Sequence, residues 1–418
     1  MHMNDKLINL LLAQKAERDR LLITLPTVTR EATAPLRAAL SRKLIKVIMG
    51  PRRAGKSTLA LQALKDRPHA YVNFEDEELK HVSGNDLIAA LDKVYGPLPY
   101  CLFDEVQEFP DWETFVNKLQ RRGRNVVLTA SNSRLLSSEP ASSLTGRHEA
   151  VSLLPFSLSE FAAARGIAGA DPAISQACNQ WLRSGGFPEV LLEHAGEKYL
   201  AALFDAIILR DIVGRHKVRN VLAIKSLGQL FLNSIASRFT ARSLERVLHN
   251  VSFSTIERYL GYFAECYLFF TLQAFSFKAR ARLRSERKIF CIDNGLVFSA
   301  GFNLLGGETR ALENAVFVEL LRRGYVPNLS LFYAQTLNRH EIDFLLPHYP
   351  NGATLIQVAY AISSQTTLER ELKSLAAAAQ EFRADKLFIV TMNEEAKHSL
   401  GNRRIEIVPM WKWCMSEW

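Results

Sequence analysis

The run Gly50-Pro51-Arg52-Arg53-Ala54-Gly55-Lys56-Ser57, followed by Thr58, places two glycines five residues apart and a Lys-Ser pair directly after the second. This spacing suits phosphate binding. The glycines let the backbone turn tightly against a polyanion, and a helix opening at Ser57 aims its first amides and its dipole at a β-phosphate. Lys56 then reaches the β- and γ-phosphates, and the Ser57 hydroxyl ligates Mg²⁺, so ATP and Mg²⁺ are the expected cofactors. Arg52 and Arg53 lie inside the loop; Arg53 could add charge near the phosphates, and either could equally face solvent. A second constellation is Asp104-Glu105 at the end of the apolar run 100–103. Asp104 can hold Mg²⁺ through water, and Glu105 can orient or deprotonate an attacking water. A small-molecule kinase has little use for that second carboxylate, so the pair favours hydrolysis. In Thr129-Ala130-Ser131-Asn132-Ser133, Ser131 and Asn132 could report on a γ-phosphate or simply form a polar turn.

These groups need a scaffold. Leu44–Met49 reads as the strand before the loop and Ser57–Leu64 as the helix after it. Ala70–Phe74, Pro99–Phe103, Asn125–Ala130 and Glu149–Leu153 read as further strands separated by helical sequence, which predicts an α/β core with a parallel sheet covered on both faces over residues 1–154. Between 155 and 222 strand character is lost. Leu200, Leu203, Ile207 and Ile208 fall at helical spacing and predict a helical lid, and the charged run 209–219 reads as its solvated end.

Residues 223–295 predict a winged helix. Lys225–Ser237 and Ala241–Asn250 are helical, Ser254-Thr-Ile-Glu257 has the capping-box spacing that starts a third helix, and Leu268–Phe277 pairs with Lys288–Ile292 as a hairpin. Lys278, Arg280, Arg282, Arg284 and Arg287 surround its tip. Arg280, Arg282 and Arg284 alternate, so in an extended chain they share one face and could track a nucleic-acid backbone; the alternative is a charge-blunted hairpin that protects strand edges. Base preference is not readable from phosphate contacts.

The 418 residues suffice for two to four domains, and a net charge of +9 makes polyanions such as DNA plausible partners. No apolar run approaches a membrane span and the start is not a secretory signal, so the expected location is cytoplasmic without membrane contact. Cys101, Cys178, Cys266, Cys291 and Cys414 lack paired spacing and read as reduced core residues.

The phosphate loop, Leu-Phe-Asp-Glu-Val-Gln107 with Trp112, Thr-Ala-Ser-Asn-Ser-Arg-Leu-Leu, Leu-Thr-Gly-Arg147 and Leu-Pro-Phe-Ser-Leu-Ser-Glu-Phe161 together resemble prokaryotic AAA+-type P-loop ATPases that carry a C-terminal domain of unknown function. The resemblance spans nearly the whole chain and implies a relation to the signalling NTPase class. Ala130 departs from the Gly that the family often has after its sensor Thr. The resemblance gives Arg147 a γ-phosphate role, supplied across a subunit boundary in a homo-oligomer; by itself Arg147 reads equally as a surface cation. It also likens Gly185-Gly-Phe-Pro188 to the element at the start of the lid, where the proline packs near the base.

Residues 296–418 read as helix Thr309–Arg323, strands Leu329–Gln335, His340–Leu346 and Ala353–Ala359, helix Thr366–Gln380 and strand Lys386–Thr391, an order that resembles the restriction-endonuclease-like core. Glu313 and Asp343 match acidic positions of active enzymes of that fold, with Glu341 nearby. Gln357 and Ala359, however, replace the Glu and Lys of the third strand, so a degenerate nuclease domain is expected. The combined expectation is an Mg-dependent ATP hydrolase that couples turnover to DNA binding or remodelling; the alternative is a nucleotide-controlled switch acting through a protein partner.

Overall fold

The computed structural model describes residues 3–133, 146–168, 172–248, 251–276, 285–301, 307–348, 352–400 and 403–416. The chain forms two compact units, Met1–Leu154 with Glu265–Tyr267, and Pro155–Ala264 with Leu268–Trp418.

In the first unit the elements are α1 (Met3–Ile23), α2 (Thr33–Ala39), β1 (Ile45–Met49), α3 (Lys56–Leu64), β2 (His69–Asn73), α4 (Gly84–Tyr95), β3 (Tyr100–Asp104), α5 (Trp112–Arg121), β4 (Asn125–Ala130) and β5 (His148–Ser152). The five strands run parallel in the order β2-β3-β4-β1-β5. Strands buried on both faces read as near-continuous apolar runs rather than alternating ones. That is why Val126–Leu128 and Ile45–Ile48 were legible as strands, and the observed strands fall within about a residue of the expected ones. One face packs Leu7, Leu11, Leu87, Leu91, Phe115 and Val116 from α1, α4 and α5 against Val47, Val72 and Phe103. The other packs Leu36, Leu40, Leu59 and Leu64 from α2 and α3 against Ile48, Leu102 and Val127. Because every strand points the same way, Met49, Asp104 and Ala130 all end at one edge of the sheet.

The second unit begins with α6 (Leu158–Ala164), α7 (Ala173–Ser184), α8 (Pro188–Leu192) and α9 (Glu197–Ala206), which continues into wider π-helical turns over Ile207–Gly214. There follow α10 (Val221–Asn233), β6 (Arg238–Phe239), α11 (Ala241–Val247), α12 (Phe253–Glu265), β7 (Phe269–Gln273) and β8 (Arg287–Cys291). β6, β8 and β7 make a small antiparallel sheet in that order, with Phe269 opposite Cys291. Phe231, Phe263 and Phe269 meet edge to face beneath it. One expected detail is corrected. α12 is entered through Ser252, whose hydroxyl accepts from Thr255 N at 3.3 Å, while Glu257 turns instead to Arg287. Neighbouring serines carry the same capping chemistry, and tertiary contacts choose between them.

The remaining elements are α13 (Asn294–Ala300), α14 (Gly307–Arg322), β9 (Phe332–Gln335), β10 (Glu341–Pro347), β11 (Ala353–Val358), α15 (Gln365–Glu381), β12 (Lys386–Thr391), β13 (Ala396–Leu400), β14 (Arg403–Pro409) and α16 (Met410–Met415). They contain a mixed six-stranded sheet ordered β13-β14-β12-β11-β10-β9. Two of its strands, β13 and β14, were not expected. The second unit also contains a backbone junction. Asp293 accepts from Gly186 N at 2.7 Å and from Gly295 N at 2.8 Å. A Cβ on Gly185, whose φ is +75°, would lie 1.9 Å from Asp293 Oδ1, so this approach requires glycine. Burial outweighs the backbone donors and pushes the Asp293 carboxyl up to about 7.

Among the described residues no helix is long and apolar enough to cross a membrane. The five cysteines are free thiols, four of them buried.

Candidate functional site

The loop 50–57 leaves β1 and enters α3. A Cβ on Gly50 would lie 1.9 Å from the Leu153 carbonyl oxygen, and Gly55 has φ +89°, so close approach requires the first glycine and backbone handedness favours the second. Arg53 is also left-handed, with φ +65°. No side chain caps the start of α3, which suits amides that receive a phosphate. Ala54 is buried, and its carbonyl accepts from Arg30 Nη1 at 2.7 Å; Arg30 Nη2 donates to the Leu154 carbonyl at 2.6 Å. Arg52 lies 3.4 Å from Glu75.

Lys56 is buried, donates to the Pro51 carbonyl at 3.1 Å and lies 3.4 Å from Glu105 Oε1. The Ser57 hydroxyl donates to Asp104 Oδ1 at 2.7 Å. β4 lies between β1 and β3, so its Thr129 hydroxyl donates to Asp104 Oδ1 and accepts from Glu105 N at 3.0 Å. This second bond supports Glu105 in a left-handed conformation, φ +49°, that non-glycine residues seldom adopt. Gln107 donates to Glu105 Oε2, and its amide also approaches the buried Ser131 hydroxyl at 3.4 Å.

These surroundings drive the two carboxyls apart. Burial, then the Glu105 charge, pushes Asp104 up to about 6. Burial would raise Glu105 as well, but Lys56, hydrogen bonds from Gln107 and Ser131, and Arg52 together bring it down to about 2. Glu105 is therefore held as an anion. The residues present fit Mg²⁺ and a nucleoside triphosphate: Ser57 and Asp104 offer paired oxygens for the ion, and Lys56 offers a cation beside the loop.

Thus the structure brings together Lys56, Ser57, Asp104, Glu105 and the strand carrying Asn132, which lies half-buried just beyond β4, with Thr58 in the first turn of α3. Arg147 is elsewhere. It is exposed in the turn before β5, and its carbonyl accepts from Ile45 N at 2.9 Å, at the start of β1. The five-residue strand puts roughly 16 Å between that end and the loop, beyond the reach of this molecule's own arginine side chain. Pro188 is the first residue of α8, in the second unit. Lys278, Arg280, Arg282 and Arg284 lie outside the described residues. Arg287 does not join a free cationic tip: it forms a two-pronged ion pair with Glu257 and packs over Phe239.

Sequence reasoning missed Arg30 and Gln107 as supports of this site and did not assign Thr129 its bridging role. Only Thr129 carried a usable signal, as a hydroxyl at the end of the strand that enters the site.

The parallel sheet, the phosphate loop and the acidic strand end define an AAA-type P-loop ATPase domain, and residues 42–162 match the AAA domain family. Residues 175–306 match a domain of unknown function, DUF8612, and 308–413 another, DUF4143. An uncharacterized protein of Methanocaldococcus jannaschii is 35% identical over 397 residues, covering 89% of this chain and 88% of its own. One from Haemophilus influenzae is 30% identical over 341 residues, covering 77% and 84%. The chain belongs to the family of AAA-domain proteins that these two represent. The solved structure of a Walker-type ATPase of Pyrococcus abyssi is similar at 14% identity and a TM-score of 0.45, covering 65% of this chain and 95% of that one.

Proposed function

We propose that this protein hydrolyses ATP with Mg²⁺ and uses the cycle to change its grip on DNA. The observation that carries the catalytic half is the convergence of Lys56, Ser57, Asp104, Thr129 and Glu105 at one sheet edge. Lys56 and the loop amides bind the phosphates, Ser57 and Asp104 hold the ion, and Glu105 with Gln107 orients the water. A second carboxylate beside Asp104, able to orient a water, supports hydrolysis over phosphoryl transfer to a small molecule.

The DNA half rests on α10–α12 with the β6-β8-β7 sheet, read as a winged helix, in which Arg242, Arg246 and Arg258 are exposed on the helices. The restriction-endonuclease-like reading of the C-terminal region is part of the same proposal. With Gln357 and Ala359 in place of Glu and Lys, it binds or assembles and does not cut.

ATPase rates without nucleic acid and with single-stranded, duplex and branched DNA test the coupling; DNA should accelerate turnover. Replacing Arg280, Arg282 and Arg284 with Ala should weaken binding to all sequences and flatten its salt dependence by about 0.9 per lost phosphate contact. Equal rates on every substrate would favour the protein-switch reading. That reading has one structural observation in its favour: Arg287, at the loop-side end of β8, and Arg238 of β6 are already paired with Glu257, Glu286 and Glu341.

A further inference from the structure

The acidic residues of the C-terminal region are not vacant. Lys288 of β8 sends its side chain among them, and its Nζ lies 2.7 Å from Glu313 Oε1, 2.7 Å from Glu341 Oε1 and 2.9 Å from Asp343 Oδ1. Lys288 is 1% exposed, and the Tyr333 ring faces its ammonium at 5.8 Å. The carboxylates are held from behind. Asp343 Oδ2 accepts from Val358 N at 2.9 Å, Asp343 N donates to Gln357 Oε1 at 3.3 Å, and Arg238 lies 3.1 Å from Glu341 Oε2. Burial would strip the proton from Lys288, but Glu313, Asp343 and Glu341 overcome it and hold the ammonium charged. Burial, then the Asp343 charge, pushes the Glu313 carboxyl up, against the pull of Lys288.

We propose that Lys288 is the cation of this centre: a strand of the small sheet supplies a built-in ammonium where a metal-dependent site would hold a divalent ion, locking β8 onto α14 and β10 and closing the site to metals. The geometry supports the substitution. Three oxygens already point at one position, at distances slightly longer than the about 2.3–2.6 Å of Ca²⁺ coordination and far longer than the about 2.0–2.1 Å of Mg²⁺. Among the described residues, no group of three or more acidic, His or Cys side chains is arranged to hold a metal ion. The inference also gives Gln357 a role: its amide oxygen braces the Asp343 backbone, work that needs no charge.

The test is thermal melting and calorimetric titration of the full chain with Ca²⁺, with Mg²⁺ as comparison and no nucleotide. The wild type should show no Ca²⁺-dependent shift. Lys288→Met should melt lower, and saturating Ca²⁺ should raise its midpoint by roughly 2–8 °C, with less from Mg²⁺. Where Lys288→Met is unfolded at rest, Ca²⁺ should restore its circular dichroism, and Lys288→Met/Glu313→Gln/Asp343→Asn should fold without the ion and ignore it. A Ca²⁺ shift as large in the wild type, or a Lys288→Met protein that neither binds Ca²⁺ nor is stabilised by it, would overturn the proposal.

Discussion

Two centres in this molecule place a lysine ammonium among carboxylates, and they differ in what is left undone. At the sheet edge Lys56 stands 3.4 Å from Glu105 and donates to a single backbone carbonyl, while the Ser57 hydroxyl donates directly to Asp104 Oδ1 at 2.7 Å. At the second centre Lys288 is fully engaged at 2.7–2.9 Å by three carboxylates. Under the proposed function a phosphate and Mg²⁺ complete the first; the second is already complete. A lysine surrounded by acids is thus no signature of catalysis in itself. The distances and the remaining donors decide whether the group is poised or spent.

The largest test of that contrast asks whether the nucleotide centre is incomplete even with its ligands. Its own molecule's Arg147 sits at the far end of β1, so we expect a neighbouring molecule to supply the finger, an element worth about 10³–10⁵ in turnover. Arg147→Ala and Glu105→Gln should each be nearly inactive, whereas mixed assemblies should regain turnover where the first contributes the site and the second the arginine. Confirmed mixing with no recovered activity at any ratio would place Arg147 outside the reaction.

Next in size is the centre's own chemistry. Lys56→Ala should lose nucleotide binding, and Glu105→Gln should retain MgATP but turn it over about 10²- to 10⁴-fold more slowly. Equilibrium binding of a fluorescent ATP analogue beside single-turnover hydrolysis separates the two. Unchanged turnover in Glu105→Gln would leave the site a binding pocket and erase its difference from the lysine-filled one.

The smallest effect concerns Thr129 and pH. Asp104 titrates near 6 in the fold, above its unfolded value of about 3.9. Its neutral form is favoured, so its contribution to stability is fully present below about pH 4 and is lost as pH rises through about 6. Mg²⁺ binding has the opposite need. At subsaturating Mg²⁺, hydrolysis should fall as pH drops below about 6. Thr129→Val removes a hydrogen bond that favours the carboxylate and should move that midpoint upward, with Mg²⁺ affinity falling by about tenfold to a hundredfold. A midpoint that does not move would detach Thr129 from the ion.

The two regions were unequally legible in the sequence. Around Lys56 the information is local: apolar runs of strand length each end at the edge where the chemistry stands, and β4 coincides with its expected span. The second centre depends on a partner 25 residues from Glu313 and 55 from Asp343, and nothing in the order Glu-Arg-Lys-Ile-Phe says that Lys288 turns inward while Arg287 beside it pairs with Glu257. Strand alternation permits opposite faces but does not say which face is buried. β13 and β14 escaped for another reason: Ala396–Leu400 is short and polar, and only pairing with its neighbour makes it a strand.

Arg30 has a mechanical consequence. Its guanidinium holds the carbonyl of Ala54 within the phosphate loop and that of Leu154, the last residue before the boundary at Pro155. A tug on the polypeptide at Pro155 meets that guanidinium one peptide away, and the same rigid plane passes the load to the loop, as a stay transmits tension from a mast to the deck. Leu153, one residue earlier, leaves Gly50 no slack in which to absorb it. One side chain thus ties the phosphate loop to the last residue of the first unit's main segment.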